Sequence, residues 1–166
     1  MIGPRPNHFV ATYPRNRADL EACFPLLRDS QYYDPNCDLT EDEVIEEWDE
    51  LLRTGVGVTL ITKNPFYEVK YFSHSTSKFV YVDLLTFVTP KFARDVVSGN
   101  IVGSIGMEFL RQRRASRLGN ELSPMPTVQE IKNAHATDGL IGMNLFVVAH
   151  PSIHSMLDEQ TLPQDD

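Results

Sequence analysis

No apolar run in this chain approaches the ~20 residues that a membrane-spanning helix needs. Cysteine is scarce, with only Cys23 and Cys37 in 166 residues. Neither has His or Cys neighbours at metal-ligand spacing, and nothing points to an oxidising compartment in which the two would pair. A resident metal is therefore not expected. Positive charge is in deficit: 15 Lys and Arg against 23 Asp and Glu leave a net charge of −8. Such a surface disfavours non-specific binding to nucleic acid. Also missing are a Gly-x-Ser-x-Gly elbow, a Walker loop, His-Glu-x-x-His and Cys-x-x-Cys. Their absence weighs against hydrolase, nucleoside-triphosphatase and zinc-enzyme chemistry. The opening MIGPRPNHF lacks a basic stretch followed by an apolar core. A cytoplasmic protein without a secretory leader or membrane contact is expected.

Hydrophobic residues make up 42% of the chain, enough for one core. A single domain over 1–150 with a short acidic tail over 151–166 is expected. Its centre is FVYVDLLTFV, Phe79 to Val88, apolar on both faces with Asp83 its one charge. A run of that composition reads as a strand covered on both sides. Thr89 then suits an N-cap and Pro90 the first helical position, so the strand feeds directly into a helix.

The other elements follow from periodicity and punctuation. HFVATY, from His8 to Tyr13, reads as a short first strand. Asn16 caps a helix with Leu20, Cys23, Phe24 and Leu27 on one face, and Pro25 inside it predicts a kink or split. Thr40 and Glu43 form a capping box, with Leu39 and Val44 as a hydrophobic staple. Val44, Trp48, Leu51 and Leu52 are the buried stripe of that helix, and Gly55 ends it. Its acidic run from Glu41 to Glu50 reads as a solvated face. Strands are expected at Val56–Thr62 and Phe66–Phe72, with a polar loop carrying His74 before the central strand. Past Thr89, a short helix holds Phe92, Ala93, Val96 and Val97. A longer one is expected from Ile101 to about Arg117, with Ile101, Ile105, Phe109 and Val102 inward. Thr127 and Glu130 make a second capping box ahead of Ile131 and Ala134. Leu140–His150 is a second strongly apolar strand. The class is α/β (α+β), with a mixed, largely antiparallel central sheet flanked by helices on both faces.

This element order resembles the first two-thirds of the GCN5-related N-acetyltransferase fold. The nearest match to that family's pyrophosphate-binding signature is Asn100-Ile-Val-Gly103-Ser104-Ile105-Gly106, with Asn100 in place of Gln or Arg and Ile105 in place of Gly or Ala. The resemblance implies that Phe79–Val88 and Leu140–His150 part at one end, leaving a gap for the pantetheine arm of acetyl-CoA. It implies cofactor contacts at Val88, Thr89, Asn100, Gly103, Ser104, Gly106 and Arg111. Unpaired amides at a helix start attract phosphate, and Gly permits close approach. Gly103 and Gly106, three apart, equally suit tight helix packing.

Acyl transfer to a small-molecule or peptide amine needs a general base and an acid for the departing thiolate. Asp83, Tyr81 and Glu108 are the candidates, with Glu68 as a further carboxylate. Asp83, on an otherwise apolar strand, must be paired, protonated or functional. His135 and His150 could meet across elements, although structural roles suit both. The basic cluster Arg111, Arg113, Arg114 and Arg117 could hold the cofactor's 3′-phosphate, contact nucleic acid, or form a solvated face. Arg113-Arg114-Ala115-Ser116 also resembles a basophilic kinase site. Two functions follow: an acetyl-CoA-dependent acyltransferase, or a non-catalytic ligand-sensing or protein-interaction domain. An apolar sheet edge needs covering, so a homodimer or contact with a further domain is expected.

Overall fold

The structure, a computed structural model, describes residues 11–64, 78–134 and 139–151. Its elements run β1 (Ala11–Thr12), α1 (Arg17–Arg28), α2 (Glu41–Arg53), β2 (Ile61–Lys63), β3 (Phe79–Val88), α3 (Pro90–Val97), α4 (Ile105–Arg117), α5 (Val128–Asn133) and β4 (Ile141–Ala149). The mixed α+β class is the one expected. The strands form one sheet in the order β1-β2-β3-β4, and every pairing among the described residues is antiparallel. Phe66–Phe72, Glu68, His74 and His135 lie outside the described residues, as do 1–10 and 152–166.

Local chemistry sets the helix starts. Asn16 accepts the Asp19 amide at 3.2 Å, and both capping boxes close as the residue types require. Thr89 accepts the Phe92 amide at 3.2 Å, with Pro90 at the first helical position. Ser104 accepts the Met107 amide at 3.3 Å, so α4 starts later than the expected Ile101. α1 continues through Pro25 without splitting. Five buried apolar side chains, Leu20, Cys23, Phe24, Leu26 and Leu27, hold it against the sheet and offset a proline cost of about 3 kcal/mol.

The core lies between the sheet and its helices. Val82, Leu84 and Val88 of β3 and Phe146 and Val148 of β4 are buried there. Trp48 of α2 meets Phe146 edge-on at 5.2 Å, and its indole N–H donates to Thr59 Oγ1 at 2.8 Å. Phe92 of α3 meets Phe109 of α4 at 5.5 Å. The opposite sheet face differs from the expected two-sided cover. There Leu85 is 42% exposed, Val58 39% and Val147 38%, with Tyr81, Asp83 and Phe87 half-buried. Apolar composition alone marks a strand that can be covered twice. Alternation in burial shows that, among the described residues, helical cover is concentrated on one side.

The larger correction concerns the two apolar strands. They do not part. β3 and β4 pair from Tyr81↔Ala149 through to Val88↔Ile141, interrupted only by a bulge at Leu84/Leu85. Leu145 is the extra residue of that bulge and is buried. α4 crosses just above it, where Gly106 allows close approach. A Cβ on Gly106 would stand 3.0 Å from the Leu145 carbonyl oxygen and from the Phe146 ring. Replacement by Val forces backbone and ring apart. Gly106→Val is expected to lower stability by about 1–3 kcal/mol in urea denaturation. Unchanged stability would contradict this packing.

Candidate functional site

Two of the candidate catalytic residues meet. Tyr81 and Asp83 neighbour each other on the half-open face of β3, and the Tyr81 hydroxyl donates to Asp83 Oδ2 at 2.8 Å. The other carboxylate oxygen accepts the Leu60 amide at 2.8 Å, while the Asp83 amide donates to the Leu60 carbonyl at 3.2 Å. Asp83 thus satisfies the backbone of the neighbouring segment where β2 has not yet begun. Burial, then the hydrogen bond to Asp83 and its charge, push the Tyr81 phenol up to about 12. The phenol stays protonated, with its proton directed at Asp83. This arrangement locks strand register.

Glu108 sits elsewhere. It lines a cleft of about 210 Å³ at the start of α4 with Asp34, Asp38 and Arg111, a cleft that neither Tyr81 nor Asp83 lines. Arg111 grips it in a fork, Nη2 to Oε1 at 2.7 Å and Nε to Oε2 at 2.9 Å, and Gln112 donates a third bond at 2.9 Å. The Arg111 bonds hold its carboxyl below the ordinary range, which makes it a weak base. Arg111 also binds Glu121 at 2.9 Å, so two carboxylates occupy its guanidinium. Both raise its pKa, Glu108 foremost.

The expected phosphate cradle has the wrong charge. Gly103, at φ 87°, needs its left-handed conformation, and a Cβ there would lie 2.6 Å from the Asp34 carboxylate. Asp34, Asp38 and Glu108 face the α4 start that would receive a phosphate. Ser104 already caps it, and exposed Asn100 bonds Asp95 through its side chain at 3.4 Å. At the α3 start, Thr89 caps Phe92 and its own amide donates to the Pro124 carbonyl at 2.8 Å. Val88 is buried against Ile141. These residues turn chains and cap helices. Gly106 serves packing, the second of the two roles that its spacing allowed.

The basic cluster is the clearest departure from expectation. Instead of forming a solvated face, it meets the acidic run of α2. Glu47 is fully buried, and Arg113, also buried, donates to its Oε2 at 2.8 Å. Arg117 donates to both Glu47 oxygens, and Arg114 bonds Glu46 at 2.9 Å and Glu43 at 3.2 Å. Burial lowers the Arg113 pKa from its usual value, more than Glu47 raises it. Sequence spacing carried a signal: Glu47 falls on the stripe of Val44, Trp48 and Leu51, and Arg113 lies one turn after Phe109. Ser116, half-buried within α4, lacks the extended backbone that a kinase needs.

One further cleft, of about 740 Å³, was not signalled by any motif. It opens between the C-terminal half of α1, Lys78 and the end of β4 through His150. Among the described residues no cluster of three or more His, Cys, Asp or Glu is placed to hold a metal. Cys23 is buried, which pushes its thiol up to about 12 and makes it unreactive.

Removing one partner from the α2–α4 clasp leaves a buried charge unpaired. Glu47→Ala should cost about 3–5 kcal/mol, whereas Arg114→Ala, at the exposed edge, should cost about 1 kcal/mol or less. Equal effects in urea denaturation would contradict the assignment. Acid titration provides a second check. Glu43 and Glu130 are lowered chiefly by capping-box amides, Glu46 by Arg114, Asp95 by Lys91 and Glu108 by Arg111. A lowered folded pKa means stability present above the unfolded carboxylate pKa and lost as pH falls through the folded one. Thermal stability should therefore be flat near neutrality and decline as pH drops below the ordinary carboxylate range. A maximum on the acid side would contradict it. No family model matches the sequence, and neither a curated protein nor a solved structure matches the chain.

Proposed function

We propose that the chain is a non-catalytic interaction domain that pairs with a second copy of itself through β4. One observation carries this reading: β4 is a nine-residue edge strand without charge or proline, IGMNLFVVA. Among the described residues its only strand neighbour is β3. Edges of that length normally carry a lysine, a proline or cover, because their open amides and carbonyls template another strand. The adjoining sheet face is apolar and half open at Val147, Leu85 and Val58. Antiparallel addition of β4 to β4 around a two-fold axis satisfies both edges with one patch. Copies of a chain with net charge −8 repel each other, and that repulsion is least along an edge that carries no charge. The bonded state of Tyr81, Asp83 and Glu108 also favours a binding role over catalysis. An acyl carrier would need a gap that the β3–β4 ladder fills.

Sedimentation at about 100 µM should give a dimer, and Asn144→Lys with Val147→Lys, both exposed positions, should give a monomer with an unchanged far-UV spectrum. A monomeric wild type, or a dimeric variant, would remove the proposal. Acetyl-CoA at about 1 mM should leave the melting temperature unchanged, and a rise would restore the acyltransferase reading.

A further inference from the structure

We propose that the cleft between α1 and the outer ends of β3 and β4 is a binding site for a small amphipathic carboxylate, a ligand with an apolar body and one anionic end. Its volume of about 740 Å³ falls in the range of ~300–1,000 Å³ typical of small-molecule sites. Pro25, Leu26 and Val148 give it apolar walls. Pro25 adds an apolar ring to the α1 wall.

The polar groups have the opposite sign to the chain as a whole. Among the described residues, Lys78 and Arg28 line the cleft against one carboxylate, Asp29, in a protein of net charge −8. Arg28 is only loosely engaged, at 3.4 Å from Asp29 and 3.9 Å from Glu41. Lys78 is exposed, its ammonium lies 5.5 Å from the Phe79 ring centroid, and it makes no contact ion pair with a described carboxylate. It lines the cleft together with Pro25 and Leu26 of α1. A carboxylate docked beside Lys78 gains a charge-assisted bond while its tail covers the apolar walls. The contrast with the α4 cleft is direct: there Asp34, Asp38 and Glu108 outnumber Arg111 and would repel the same ligand.

Octanoate and 4-phenylbutyrate, tested by calorimetry and ligand-observed NMR on the full chain, should bind. Their uncharged amides should bind at least about tenfold more weakly, as should octanoate to Lys78→Ala. Inorganic phosphate should not compete. The proposal is overturned if neither acid binds, if the amides bind equally, if Lys78→Ala binds as the wild type does, or if phosphate displaces the ligand.

Discussion

The antiparallel ladder between β3 and β4 is the constraint on which the other features depend. It joins the two most apolar stretches of the chain into one ribbon, with Val82 opposite Val148 and Leu84 opposite Phe146 facing the helices. Because side chains alternate, that register turns Asp83, Leu85 and Val147 to the other face in the same stroke. The bulge at Leu145 shifts the second half of β4 by one residue, and Gly106 brings α4 down onto it. A ribbon closed in this way binds nothing between its strands. Interaction is left to its outer edge, its open face and the clefts at its margins.

Above the ribbon, α2 and α4 are joined by charge as well as by apolar contact. Glu47 takes its hydrogen bonds from Arg113 and Arg117 in a buried setting, and Arg114 bridges Glu43 and Glu46 at the rim. A buried pair of this kind adds little stability over an apolar one but is costly to break, so it favours one docking angle over its neighbours. The consequence for function is electrostatic. The chain's one concentration of arginine is neutralised internally, and Arg111 is held by Glu108 and Glu121. At the α1 cleft, Lys78 and the loosely paired Arg28 stand beside the apolar walls of Pro25, Leu26 and Val148.

Much of the fold was legible where local chemistry decides it. Phe79 and Val88 bound the central strand as the apolar run indicated, and Thr40 with Glu43, Thr127 with Glu130, and Thr89 before Pro90 mark helix starts. The largely antiparallel sheet was expected, but full pairing of β3 with β4 was not legible, because an apolar run such as Leu140–His150 reads alike whether it is paired or splayed. Nor was the asymmetry of cover, since Leu85 and Leu84 are the same residue on opposite faces. Val102, expected to face inward, stands 90% exposed in the turn before α4. Its environment is set by where the Ser104 cap begins the helix. Of the candidate site, sequence named Tyr81 and Asp83 only as separate candidates, and it named Gly103, Ser104 and Gly106 for phosphate without knowing that Asp34 lies opposite. Glu47 and Arg113 were misjudged because charge overrode a stripe position that their spacing disclosed.

Amide hydrogen exchange, resolved residue by residue over Phe79–Val88 and Ile141–Ala149, tests the closed ribbon most directly. Slow exchange at the ladder's inward-facing amides, continuing to the Val88–Ile141 end, is the result expected from full pairing. Fast exchange in both strands beyond the Leu145 bulge, with protection confined to the Tyr81–Ala149 end, would mean that the strands part and would contradict it.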